Sequence, residues 1–220
     1  MIKAWAVFFM VLCGVAAPAA SAASDDPKTL TVLALGDSLT AGYGLEAGEG
    51  FTDQLELWLQ EKLGAGSKVK VINAGISGDT SSGGNARVEW SLYGEAANPD
   101  VVIVEFGGND VLRGIDPTYT RKNIDNMVKI LTEKNLRVLV AGMQASPSLG
   151  PDYTADFNSI FSDVAKKYNA TLYPFFLEGV AADEALNQDD GIHPTLEGVQ
   201  IIVSKIGPVV LEMLLADMAE

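Results

Sequence analysis

The run Val101-Val-Ile-Val104 is apolar at every position. A strand of that composition has both faces covered, because a half-solvated strand alternates apolar with polar residues. Leu30-Thr-Val-Leu-Ala-Leu35 and Val138-Leu-Val-Ala141 have the same character, and Val69-Lys-Val-Ile72 and Thr171-Leu-Tyr173 are shorter candidates. Between them lie apolar stripes at helical spacing. The first is Phe51, Leu55, Trp58, Leu59 and Leu63; the second is Ile124, Met127, Val128 and Leu131; the third is Phe157, Ile160, Phe161, Val164 and Tyr168. Val199 to Met218 closes the chain as an apolar helix, with a break expected near Pro208. Strand alternating with helix predicts βαβ units, hence an α/β protein: a three-layer α/β/α sandwich of about five parallel strands. Ligands bind such a sheet at the carboxyl ends of its strands. The residues that follow each strand are therefore the ones to read for chemistry.

Residues 1–22 have the three-part layout of a secretory signal peptide. Lys3 is the positive residue, Ala4 to Ala17 is nearly all apolar or small, and Ala20-Ser21-Ala22 supplies small residues at the cleavage position. The apolar run is shorter than the roughly 20 residues that span a bilayer, so cleavage is expected rather than a stable membrane anchor. A lipid anchor on Cys13 is disfavoured by Leu12, which stands where a small residue would be wanted. Residues 23–220 are then expected to form one exported domain. Cys13 is the only cysteine, so the mature chain has no disulfide and must hold by packing alone. The full chain's 29 acidic residues against 15 basic ones give a net charge of −14, which becomes −15 when Lys3 is removed with residues 1–22. They form no run, and this charge disfavours nucleic acid and anionic membrane as partners while keeping the chain soluble, as a monomer is expected to be.

The chain has one histidine, His193, in Asp189-Asp190-Gly191-Ile192-His193-Pro194. Imidazole chemistry at neutral pH has no other source here. A zinc site built from His and Cys would have almost no ligands to draw on, and no metal is expected. Asp190, three residues earlier, is placed to fix the imidazole tautomer and stabilise an imidazolium. The same carboxylate also suits an Asx turn capping the helix that follows Pro194. Leu35-Gly36-Asp37-Ser38-Leu39 follows the first strand, so Ser38 is a candidate nucleophile among unpaired N–H groups; the plain alternative is a helix cap. Asn73-Ala-Gly-Ile-Ser-Gly78-Asp-Thr80 follows the second strand, and Phe106-Gly-Gly-Asn109-Asp110 follows the third. Either is explained by an ordinary glycine turn. Together with the N–H of Ser38, an N–H from Gly78 and the amide of Asn109 provide three donors for one oxyanion.

Taken together, Gly36-Asp37-Ser38-Leu39, Ile76-Ser77-Gly78-Asp79-Thr80, Gly107-Gly108-Asn109-Asp110 and Asp190-Gly191-Ile192-His193-Pro194 resemble the four motif blocks of the SGNH (GDSL) hydrolase family. The match runs from Leu30 to about Gly207. Ala34 to Tyr43, Asn73 to Thr80, Gly107 to Gly114 and Tyr173 to Val180 are most similar to its exported bacterial branch of thioesterases, lysophospholipases and arylesterases. The resemblance implies a flavodoxin-like fold and cofactor-free hydrolysis of acyl esters and thioesters. The catalytic residues would be Ser38, Asp190 and His193, with an oxyanion hole of Ser38, Gly78 and Asn109. It also implies a flexible loop after Asn109 that shapes the acyl pocket.

Leu112, Ile115, Met143, Leu149, Phe175 and Phe176 fall near the expected strand ends and are candidates for an acyl groove; Phe175 and Phe176 also read as plain core. The expected partner is a small acyl or aryl ester or thioester, with lysophospholipid as a rival. A carbohydrate O-acetyl esterase would use the same catalytic set. A non-catalytic binding module or a flavodoxin-type electron carrier would share the fold without the chemistry.

Overall fold

The structure is a computed structural model and describes Met1 and residues 29–218. Apart from Met1, the signal-peptide reading falls outside the described residues. Five strands form one parallel sheet: β1 (Thr29–Gly36), β2 (Lys68–Gly75), β3 (Val101–Glu105), β4 (Val138–Ala141) and β5 (Thr171–Tyr173), in the order β2-β1-β3-β4-β5. All residues of β3 and β4 are buried, as the apolar runs Val101–Val104 and Val138–Ala141 require; Glu105, which ends β3, is buried as well.

The helices are α1 (Ser38–Ala41), α2 (Phe51–Leu63), α3 (Ser81–Arg87), α4 (Gly108–Leu112), α5 (Pro117–Glu133), α6 (Pro151–Tyr168) and α7 (Leu196–Met218). α2 packs against α7, while α5 packs against both α3 and α6. These two groups cover opposite faces and give the expected three layers. In α7 the buried residues Val199, Ile202, Val203, Ile206, Val210 and Leu214 form the stripe that faces the core.

The break expected at Pro208 does not occur; α7 runs through it. Pro208 and Ser204, one turn earlier, are both exposed. The Ser204 carbonyl that would have accepted the missing N–H therefore lies on the solvent side, where water can serve it.

From β1 the chain crosses to β2 on one side and then to β3 on the other. The strand order thus reverses between β1 and β3, and the crevice beyond their carboxyl ends is where a doubly wound sheet binds ligands. Ser38 lies just past the end of β1, and Asn109 four residues past the end of β3.

Candidate active site

The nucleophile side of the crevice is built on strand ends. Asp37, the N-cap of α1, accepts the Leu39 N–H at 3.0 Å and so starts the helix at Ser38. α1 lies so close to the end of β2 that a Cβ on Gly75 would collide with the backbone nitrogen of Ala41. Arg87 secures the same strand ends. Its guanidinium donates to the carbonyls of Gly36 and Ala74, both at 2.8 Å, and to Asp79 at 2.7 Å. Parallel strand ends leave carbonyls that need donors, and Arg87 supplies them for β1 and β2 at once.

The base side is a loop. Asp190 Oδ1 accepts the N–H groups of Ile192 and His193, each at 3.0 Å, while Oδ2 is 2.6 Å from His193 Nδ1. The other imidazole nitrogen, Nε2, is 2.8 Å from Ser38 Oγ. Asp190 therefore forms an Asx turn and also pairs with the imidazole. It does not cap the following helix, whose first turn is met by Thr195 Oγ1 at 3.3 Å from the Gly198 N–H. The hydrogen bond from His193, followed by the two backbone N–H groups, pulls the Asp190 carboxyl down to about 2. An ionised carboxylate on Nδ1 directs the Nε2 lone pair toward Ser38.

Gln188 joins the two sides. Its Nε2 donates to the carbonyls of Tyr43 and Pro194, both at 2.9 Å, while its N–H donates to His193 O at 2.7 Å. The Tyr43 ring lies against the imidazole with centroids 4.6 Å apart.

Gly78, in the left-handed region at φ 85°, and Asn109 line the same cavity as Ser38 and His193. Neither the Ser38 N–H nor the Gly78 N–H donates to a protein acceptor among the described residues. Behind this surface are three buried carboxyl groups, Asp37, Glu105 and Asp110. Asp110 is fully engaged by the N–H and hydroxyl of Ser81 and the hydroxyl of Thr120, at 2.8, 2.5 and 2.9 Å. Burial raises Asp37 to about 6, against hydrogen bonds from Leu39 and Asn109 that lower it. Burial and the neighbouring Asp37 push Glu105 well above the usual carboxylate range. Glu105 Oε2 accepts from Thr40 Oγ1 at 2.9 Å, and Oε1 has no hydrogen-bond partner among the described residues.

The cavity has a volume of about 610 Å³. Of the residues considered for an acyl groove, Leu112, Met143 and Phe175 line it, and Leu39, Val111 and Leu177 add further apolar wall. Phe176 does not line it. The chain turns here, the Glu178 N–H donating to the Phe175 carbonyl at 3.1 Å, and Phe176 is 1% exposed, its ring edge-on to Phe51 at 4.9 Å between centroids. Ile115 is also outside the lining; its carbonyl instead accepts the Tyr153 hydroxyl at 2.8 Å. Leu149 belongs to an exposed single turn, Pro147–Leu149, and is likewise not part of the wall. Among the described residues, no group of three or more His, Cys, Asp or Glu side chains is arranged to hold a metal ion.

Asp37, Gln188, Arg87 and Tyr43 had no assigned role in the sequence. In Gly36-Asp37-Ser38-Leu39 the adjacency of Asp37 to Ser38 is the only local signal for it; the others act across distances that no local pattern encodes.

A doubly wound sheet with a serine, an imidazole and a carboxylate in line at its switch point is the architecture of a serine hydrolase. Residues 34–201 match the GDSL-like Lipase/Acylhydrolase family, and the chain belongs to that family. It is 37% identical over 184 residues to Esterase TesA of Pseudomonas aeruginosa, covering 84% of this chain and 89% of that protein. It is 37% identical over 172 residues to the Thioesterase 1/protease 1/lysophospholipase L1 of Escherichia coli, covering 78% of this chain and 79% of that one. The crystal structure of TesA superposes with a TM-score of 0.77 at 37% identity, covering 84% of this chain and 99% of that one.

Proposed function

We propose that this chain is an exported serine hydrolase of carboxylic esters and thioesters that works through an acyl-enzyme on Ser38. The observation that carries the reading is the line from Asp190 through His193 to Ser38, with contacts of 2.6 and 2.8 Å, at the wall of a largely apolar cavity. His193 Nε2 takes the Ser38 proton as Oγ attacks the acyl carbonyl, and Asp190 stabilises the imidazolium. The tetrahedral oxyanion is received by the N–H groups of Ser38 and Gly78 and by the Asn109 amide. His193 then protonates the leaving alcohol or thiol, and water repeats the cycle on the acyl-enzyme.

Leu112, Met143 and Phe175 favour an acyl or aryl group over a sugar in the cavity. The net charge of −14 and the export reading of residues 1–22 speak against anionic coenzyme A thioesters as the natural substrate. Short to medium acyl or aryl esters fit best. The lysophospholipase in the name of the Escherichia coli relative makes lysophospholipid the rival to test.

Ser38→Ala is expected to abolish hydrolysis of p-nitrophenyl esters while leaving the thermal midpoint within about 2–4 °C of wild type, the change that about 1 kcal/mol makes in a domain of this size. Near-normal turnover by that variant would end the proposal. A chain-length series beside a lysophospholipid then fixes the substrate class.

A further inference from the structure

Asn109 has one amide nitrogen and two demands on it. The Nδ2 atom donates to Asp37 Oδ2 at 3.1 Å, and Asn109 is also among the residues that line the cavity with Ser38. An amide carries two N–H groups on that nitrogen and a carbonyl oxygen on the other side. Which of these faces the cavity is decided by what the amide meets behind it. Asp37 offers acceptors only: Oδ1 takes the Leu39 N–H, and Oδ2 is left for Asn109. Asp37 is itself 1% exposed and fixed in place as the N-cap of α1.

We infer that Asp37 is a positioning residue for the oxyanion hole: its buried carboxylate locks the Asn109 amide so that nitrogen, not oxygen, faces the reacting carbonyl. This rests on the assignment of Asn109 as an oxyanion donor. A rotated amide would put a carbonyl oxygen against a developing negative charge, turning a stabilising contact into a repulsive one. Burying a carboxyl at 1% exposure beside Glu105 opposes folding, and the positioning role supplies a reason for the site to keep it.

The charged and titratable groups around Asp37 are Glu105 on β3, Asp110 on α4 and His193 on the loop before α7. None of them can replace the acceptor. Asp110 is saturated by Ser81 and Thr120, and His193 is engaged with Asp190 and Ser38. Glu105 Oε2 instead faces the Asp37 N–H and the Thr40 hydroxyl.

The test is a double-mutant cycle of Asp37→Asn and Asn109→Ala, with kcat, KM and thermal midpoint measured on one p-nitrophenyl ester. The amide introduced by Asp37→Asn would retain an oxygen for the Leu39 cap but turn an N–H donor toward Asn109, which favours the rotated amide. Asn109→Ala should lower kcat about 10²-fold or more, the usual worth of one oxyanion donor. Asp37→Asn should lower kcat about tenfold or more, change KM by less than about threefold and leave the thermal midpoint equal or higher. The double variant should match Asn109→Ala within about threefold. Asp37→Ser, which keeps a capping oxygen but is too short to reach Asn109, should show the same kcat loss and covers the case in which Asp37→Asn folds poorly. Losses that multiply in the double variant overturn the inference. A near-normal kcat for Asn109→Ala instead overturns the oxyanion assignment on which it rests.

Discussion

The two halves of the catalytic line are held in place by different means. Asp37 and Ser38 directly follow the end of β1, whose Gly36 carbonyl Arg87 holds, and Asn109 follows β3 and donates to the buried Asp37. Asp190 and His193 lie on a loop outside any helix or strand. That loop is held by its own Asx turn, the Asn187–Pro194 bridge and the side chain of Gln188. The side that must present backbone donors in fixed geometry is built into the sheet, where its residues also carry stability. The side that must pick up and release a proton is built on a few local hydrogen bonds. Substitutions that disturb the strand-end packing beneath the first half, as at Gly75, should therefore cost folding as well as rate, whereas those in the second half should cost mainly rate.

The largest expected effect is in the loop. Asp190→Asn should lower kcat about 10³–10⁴-fold by removing the anion that fixes the imidazole tautomer, with a nearly unchanged thermal midpoint; steady-state kinetics and a melting curve check both parts. Gln188→Ala removes the stitch to Tyr43 and Pro194. It should lower kcat about tenfold, with KM little changed and a stability loss of about 1 kcal/mol or less. A large loss of stability in either variant would break the contrast between the halves.

The strand-end half should behave in the opposite way. Gly75→Ala drives a Cβ into the α1 backbone at Ala41 and should cost about 1–3 kcal/mol of stability. Urea unfolding measures this directly, and rate should fall with it because α1 begins at Ser38.

The smallest effect is on the pH dependence of stability. Asp37 is raised to about 6 and Glu105 higher. Between an ordinary carboxyl pKa of about 4 and these values, the folded state binds protons that the unfolded state does not. Stability should therefore fall as pH rises through that window. Asp190, lowered to about 2, has the reverse sign: its contribution is complete above about pH 4 and is lost as pH falls toward 2. The thermal midpoint should thus be higher near about pH 4.5 than at about pH 7.5, and Asp37→Asn should narrow that gap by about 2–4 °C or more. An unchanged gap in that variant would place the effect elsewhere.

The contrast also explains what could be read from the sequence. The central strands were legible because burial on both faces leaves an uninterrupted apolar run, as in Val101–Val104. Ser38, Gly78, Asn109, Asp190 and His193 were legible because their chemistry needs those residue types directly after strands or within a few positions of each other. α3 was not legible: Ser81-Ser-Gly-Gly-Asn-Ala-Arg87 has two glycines and no apolar stripe. It is organised from outside, by Asp110 holding the Ser81 N–H and hydroxyl and by the anchorage of Arg87. Phe175 and Phe176 are adjacent and equally apolar, so only the three-dimensional path of the chain separates a cavity wall from a core residue. Gln188 reaches Tyr43 across 145 positions, which no local pattern records.

The account depends most on Ser38 being the atom that is acylated. The direct measurement is reaction of the mature protein with a p-nitrophenyl phosphonate ester, followed by peptide mass spectrometry. The account predicts a single adduct on the peptide carrying Ser38, and loss of ester hydrolysis in step with labelling. An adduct on a different residue, or continued hydrolysis by fully labelled protein, would contradict it.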